Sequence, residues 1–509
     1  MDPNAPIVLS GQALTPAEVT AVARNGASVV FPADATERLA RDRTVVEQAV
    51  AGGEAAYGLT TGLGSRVTYE LAKEELAAFS ERTVRGRANG VGPPLSREVV
   101  RATVVTRCNQ MAHGGSGVRP PVAQLLVEML NRGVHPVVPE TGSTGVSDLC
   151  LLAHIGLVVF GEGFAEVDSE VLSGADALAR VGLEPVRLGP KDGLALCSSN
   201  AVAAGTAALV YNDASQLLEA THLSAALSFE AFRANMTPLD ERAQKARPAP
   251  GQACSAQRLL GYLDGGLLRD PGHARRLQDP ISFRCVSQVH GAFFAALDFL
   301  RAQLEAELNG AGDNPLVVAR DAVIISTGNF HTAGLALALD TVAGAICQTA
   351  GLAASRTARL LSSAISGLPD NLSSRGPASS GFAPLLKTVH ALVAELRHLA
   401  APVASNAQGE ESEVEDDATN AALAARRDAM MLDAFRRVIA IEALVAAQGL
   451  ELAAPERVGR GALALQRTVR SHVSSLGEDR PCGPDVSAVE AEVLGPLTIA
   501  GLLENVRDA

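Results

Sequence analysis

The chain has 509 residues, 47% of them hydrophobic and 19% charged, a balance that excludes intrinsic disorder and calls for a large buried core. With no Trp, 3% aromatics and abundant Ala, Leu and Val, closely packed helices are expected rather than an aromatic-rich β-sandwich, so the fold class is mainly α. A net charge of -13 without an offsetting basic stripe argues against nucleic acid as a partner.

From the start of the chain, MDPNAPIVLSGQALTP is polar and acidic where a secretory signal would be basic and then apolar. Asp34 or Thr36 can cap a helix carrying Leu39, Val46 and Val50, which stops near Gly52-Gly53. Ser96 opens another, with Val100, Val104, Cys108 and Met111 on one face, and Pro120-Pro121 begins a third that Gly133 ends. Beyond residue 200 the apolar pattern lengthens into helices at roughly 200–233, 286–309, 332–363, 382–400 and 418–452. Helices this apolar must bury more than one face, which predicts a central bundle and a homo-oligomer. Apolar stretches at 149–161 and 335–351 contain His154 and Asp340, so no membrane span is expected. Cysteines at 108, 150, 197, 254, 285, 347 and 482 lack zinc-site spacing, which points to reduced thiols, no metal and a cytoplasmic location. No fixed-period repeat or Pro/Ser-rich linker divides the chain. A single elongated helical domain is expected, with a loop-rich active-site part (1–199), a central bundle (200–452) and C-terminal helices (453–509).

Between the helices lie glycine-punctuated polar loops, the usual place for catalytic groups. Tyr57-Gly58-Leu59-Thr60-Thr61-Gly62-Leu63-Gly64 can present a phenol to a site. Gly142–Leu149 reads as a helix start capped by Ser147 or Asp148, and Arg284, within a near-neutral run after Gln278, is a candidate carboxylate clamp. Gly312–Leu316 and Gly328–His331 follow as further loops. QGEESEVEDD at 408–417 carries six carboxylates and reads as a solvated loop or helix start with room for one functional member. Such a set suits acid/base catalysis better than a scaffold.

In their order, YGLTTGLG (57–64), RANGVGPPL (87–95), SGVRP (116–120), NRGVHPVVPETGSTG (131–145), KDGLAL (191–196), QDPISFRC (278–285), QVHG (288–291), GDNPL (312–316), GNFH (328–331), SGLP (366–369) and IEALVAAQGLEL (441–452) resemble the motifs of the aromatic amino acid lyase family, which includes histidine and phenylalanine ammonia-lyases. The resemblance spans roughly 40 to 455. It implies a mostly helical homotetramer whose active sites draw loops from three subunits, acting on a small-molecule substrate. By position, Tyr57 matches the family's catalytic base and Arg284 the arginine that binds the substrate carboxylate. Asn329 and Phe330 match residues lining the site, Gln278 opens the clamp motif, and Glu415 falls where the family has a glutamate beside the substrate's amine or ring.

Several positions depart from the family. Its prosthetic group, methylidene-imidazolone, forms by cyclisation of Ala-Ser-Gly, whereas this chain reads Val146-Ser147-Asp148, without the glycine whose lack of a Cβ eases the tight backbone approach. The supporting asparagine after KDGLAL is Ser198, for which Asn200 substitutes only if the backbone shifts. A tyrosine after Gln-Asp-Pro is Ile281, and a position often held by His is Arg87. These departures lead to the expectation of no prosthetic group: a lyase-type enzyme running Tyr acid/base chemistry on a small carbonyl or carboxylate substrate whose proton is already activated, by elimination, conjugate addition, cyclisation or isomerisation. Two alternatives stand beside it. One is a conventional histidine or aromatic amino acid ammonia-lyase in which Val146, Ser147 and Asp148 do form methylidene-imidazolone, and the other is a catalytically inactive tetramer serving as scaffold or binding protein.

Overall fold

A computed structural model of the chain describes residues 5–53, 55–406, 414–496 and 498–508. The fold is mainly α, and its strands form only small ribbons: Ile7–Val8 beside Val29–Val30, Val91–Pro94 beside Pro139–Thr141, Leu316–Val318 beside Val323–Ile325, and a three-stranded ribbon ordered His135–Pro136, Phe164–Val167, Glu170–Ser173. The long helices Ala201–Phe232, Val286–Leu308, Ala333–Leu361, Ala383–Leu399 and Ala421–Ala453 begin and end within three residues of the ranges expected from apolar periodicity. Two helical stretches, Asp192–Phe232 and Ala333–Leu361, are long and apolar enough to cross a membrane by length and composition. The most apolar window of the first is wholly buried inside the protein, as a core helix requires, and that of the second is half buried.

Two compact units are each assembled from three stretches of chain. The first comprises Met1–Asn212, Leu300–Leu339 and Pro402–Arg426, and the second Asp213–Phe299, Asp340–Ala401 and Arg427–Ala509. The divisions expected at 199/200 and 452/453 each fall inside one unit.

At the centre of the first unit is the helix Arg97–His113, capped by Ser96 and buried from Val100 to Ala112. A helix buried on all sides must find partners for its polar residues. Arg101 accordingly donates to the carbonyls of Val22 and Leu130, and Arg107 grips the Asp313 carboxylate through both oxygens at 2.8 and 3.1 Å. The helix Ala33–Gly52 starts one residue before Asp34, with Pro32 at its cap and no side-chain cap bond; Asp34 pairs instead with Arg38 one turn on. The apolar stretch at 149–161 forms the helix Leu149–Val159, with His154 inside it.

In the second unit, Arg356 and Glu442 form a fully buried ion pair, Nε–Oε1 2.5 Å and Nη2–Oε2 2.9 Å, to which Ser228 adds a hydroxyl donor at 2.8 Å. Phe232 stacks on Phe283 with ring centroids 4.2 Å apart. Satisfying every oxygen of a desolvated carboxylate is what makes such a pair tolerable in a core.

Candidate active site

Within the first unit a cavity of about 580 Å³ opens where six loops converge. Tyr57 reaches it from the loop between the helices Ala33–Gly52 and Leu76–Arg87, and Arg87 from the end of the second helix. Val146 and Ser147 come from the turn before Leu149–Val159, Ser198 from the end of Asp192–Cys197, Asn314 and Phe330 from either side of the Leu316–Ile325 ribbon, and Glu415 from the approach to Ala421–Ala453.

Tyr57 is set by its own loop: the backbone N–H of Gly64 donates to its phenol oxygen at 2.9 Å. The same loop brings Glu415 close, its Oε1 lying 3.9 Å from where a Cβ on Gly64 would stand. Next to Tyr57 in the cavity is the Gly145–Asp148 turn. Gly145, at φ 81, packs so tightly that a Cβ would come within 2.1 Å of Thr419 Oγ1 and 2.8 Å of the Ala421 nitrogen, so only glycine fits. Its carbonyl accepts from Thr419 Oγ1 at 2.8 Å and Thr332 Oγ1 at 3.3 Å. Ser147 follows in the left-handed region at φ 67, 6% exposed, with its N–H donating to Asn200 Oδ1 at 3.0 Å. A serine rarely adopts that conformation unless its surroundings hold it there.

Asp148 occupies the cap position of Leu149–Val159, yet its carboxylate does not cap that helix. It accepts from Ser143 Oγ at 2.6 Å and from the Ala203 N–H at 2.9 Å, and burial pushes it up to about 6. Its own N–H donates to the Ser199 carbonyl at 2.7 Å. Asn200 spans two loops, because its Nδ2 also donates to the Phe330 carbonyl at 2.6 Å. Ser198 Oγ accepts from the Asn314 N–H at 3.3 Å. Arg107's grip on Asp313 therefore fixes the turn that carries Asn314, and buried Lys191, whose Nζ donates to the Ser116 carbonyl at 2.6 Å, anchors the segment leading to Ser198. Burial holds the Lys191 ammonium down to about 8.

Of the residues singled out in the sequence, Tyr57, Arg87, Ser147, Ser198, Phe330 and Glu415 line this cavity. Asn200 supports it through Ser147 without lining it. Asn329 is exposed and turns its Nδ2 to the Ala311 carbonyl at 3.3 Å. Gln278 and Arg284 belong to the second unit, where Gln278 is exposed and Arg284 Nε donates to the Asp279 carbonyl at 2.7 Å. Glu410, Glu411 and Glu413 of the acidic run lie outside the described residues. Sequence reasoning missed Thr332 and Thr419, the two hydroxyls on Gly145, and the pairing of His331 Nε2 with Asp417 Oδ2 at 3.3 Å. GNFH flagged the neighbourhood of His331, whereas nothing in the sequence marks either threonine.

The family model for aromatic amino acid lyases matches residues 14–471. The chain belongs to the aromatic amino acid lyase family. A histidine ammonia-lyase of Treponema denticola is 39% identical over 477 residues, 93% of this chain and 94% of that protein. Among solved structures, the ergothioneine-degrading ergothionase of Treponema denticola, in complex with desmethyl-ergothioneine sulfonic acid, superposes with a TM-score of 0.92 at 29% identity, covering 98% of this chain and 99% of that one. The tyrosine aminomutase of Streptomyces globisporus does so with a TM-score of 0.92 at 30% identity, covering 99% of each. This protein is thus a helical enzyme of the carbon–nitrogen lyase type, in a family that acts on small amino acid substrates.

The comparison corrects one expectation. An enzyme without a prosthetic group was expected, but relatives of this similarity are histidine ammonia-lyases, which carry autocatalytically formed methylidene-imidazolone. The physical reason lies in the turn. A left-handed backbone here does not require the missing glycine, because Ser147 itself adopts that conformation and Asn200 Oδ1 holds its N–H. The turn that would form the group is held in place and open to a cavity: Thr419 and Thr332 fix the Gly145 carbonyl just before it, Asn200 fixes Ser147, and Val146 and Ser147 both line the cavity.

Proposed function

We propose that this protein is an ammonia-lyase acting on histidine or a related aromatic amino acid, with methylidene-imidazolone formed from Val146, Ser147 and Asp148. The observation that carries this reading is the buried, left-handed Ser147, fixed by Asn200 and opening into the cavity that holds Tyr57. When bound there, the group supplies an electrophilic carbon that activates the substrate for loss of its nitrogen.

The remaining work falls to the chain's own side chains. Tyr57 Oη removes the proton from the substrate's β-carbon, the C–H electron pair becomes the second bond of a carbon–carbon double bond, and the nitrogen leaves with the C–N pair. A backbone donor from Gly64 holds that oxygen in one place, which keeps proton transfer within reach. Phe330 offers an apolar wall to the substrate ring, with Leu63, Val67 and Leu149 helping to exclude water. Glu415 neutralises positive charge on the amine or ring. Arg284 takes the α-carboxylate as a planar bidentate partner, with Gln278 beside it in the same motif. The family resemblance implies sites built from loops of three subunits, so in this reading a neighbouring copy supplies both, and the working unit is a homotetramer. Seven free thiols suit a reducing cytoplasm.

Peptide mass spectrometry tests the reading. The peptide containing Ser147 should weigh two water molecules less than its sequence mass, Ser147→Ala should restore the full mass, and the variant should lose the ammonia release that the wild type shows with its aromatic amino acid substrate. An unmodified peptide in active protein would overturn it.

A further inference from the structure

Arginines in the first unit are, as a rule, committed to protein partners. Arg107 holds Asp313, Arg119 holds Asp192, and Arg85, two residues before Arg87 on the same helix, holds Glu81 and Glu162. Arg87 differs. Half-buried and lining the cavity, its guanidinium makes no hydrogen bond and no ion pair with any described residue. Glu415, Asp416 and Asp417 line the same cavity, and Arg87 pairs with none of them; Asp417 is engaged by His331 and by the Ala418 N–H.

A cation drawn partly out of water without a counter-charge is unfavourable, and the cost is recovered when an anion enters. The planar guanidinium fork matches a carboxylate through two parallel hydrogen bonds, a geometry that a neutral ring edge cannot offer. We propose that Arg87 is a specificity-determining residue that binds an anionic group on the substrate's side chain, so that the substrate is a dianion with one acid on the α-carbon and a second at the far end. This rests on the amino acid lyase reading above, in which Arg284 of a neighbouring copy holds the α-carboxylate. It narrows the substrate from a neutral aromatic amino acid to one whose side chain ends in a carboxylate or an equivalent planar acid. A site with an unpaired cation discriminates twice, since the correct ligand gains the charge-assisted bonds and the neutral one leaves the guanidinium desolvated and alone.

Calorimetric titration of the assembled protein with 3-phenylpropanoate and 3-(4-carboxyphenyl)propanoate reads this directly. The dianion should bind about 10- to 100-fold more tightly than the monoanion, the range expected for hydrogen bonds to a charged group. Arg87→Gln should abolish that preference by weakening the dianion, without weakening the monoanion or lowering the melting temperature, and Arg87→Lys should keep part of it. Equal affinity for the two acids in the wild type overturns the proposal, as does an Arg87→Gln variant that weakens both equally, which would make Arg87 a holder of the α-carboxylate. The titration needs no turnover, so it separates from the mass and ammonia measurements: a failed prosthetic group leaves the dianion preference intact, and a failed preference leaves the lyase reading standing.

Discussion

A tyrosine oxygen that accepts from a backbone N–H seven residues along its own loop is positioned by covalent connectivity as much as by packing. Tyr57→Phe removes the phenol oxygen but little volume, so turnover should fall by about 10²–10⁴ with almost no change in melting temperature. Normal turnover with a lowered melting temperature would reassign Tyr57 to packing. A second residue gives a pH signature away from the cavity. Glu230 is 2% exposed, accepts the Gly459 N–H at 2.8 Å, and is pushed by burial up to about 7. Its folded value therefore lies above its unfolded one, so the native state holds the extra proton and stability is lost as pH rises from about 4.5 to about 7. Glu230→Gln cannot ionise. Denaturant melts should show the variant gaining on the wild type across that interval and levelling off above it; a difference that stays flat with pH would contradict the assignment. At this scale the sequence was legible where a motif ties a residue type to a loop, as for Tyr57, Ser147 and Phe330. It was silent on Thr332 and Thr419, because a hydroxyl's partner is decided by which segments meet, and these two lie 187 and 274 residues from Gly145.

Elements were read more reliably than the loops between them. Apolar periodicity over twenty or more residues leaves few choices, hence the agreement for Ala201–Phe232 and Ala421–Ala453. Helix starts depend on local side-chain competition and were read less well. Asp34 looked like a cap and instead sits in the first turn facing Arg38; Asp148 does hold the cap position but spends its carboxylate on Ser143 and Ala203. The Gly145–Asp148 turn shows why the missing glycine misled. Propensity assigns a left-handed backbone to glycine, but Asn200 and the neighbouring loops impose it on Ser147, and tertiary context wins over local preference. Counting along the chain puts Ser198 in the supporting position and leaves Asn200 to substitute only if the backbone shifts. The bend after Asp192–Cys197 brings Asn200 round instead.

One of the long helices carries an exposed face that calls for a partner. Along Ala333–Leu361 the residues Ala333, Leu337, Thr341, Gln348 and Ser355 are exposed at intervals of four and seven, a single helical stripe. Leu337 is 53% exposed, and a Cβ placed on Gly344 or Gly351 would meet nothing within 4 Å. Small residues interleaved with an exposed leucine on an otherwise apolar helix allow another helix to approach closely, and an isolated chain would leave that face in water. The protein is therefore expected to self-associate, as the homotetramer that the family resemblance implies, by light scattering at micromolar concentration. Leu337→Glu combined with Gly344→Glu puts like charges on the stripe of every copy and should yield smaller species with unchanged helical content. Ammonia release should disappear with the tetramer, because each cavity then lacks the neighbour's Arg284. A wild type that runs as a monomer would remove the shared-site mechanism, and a dissociated variant that keeps full activity would show that one chain supplies its own carboxylate clamp.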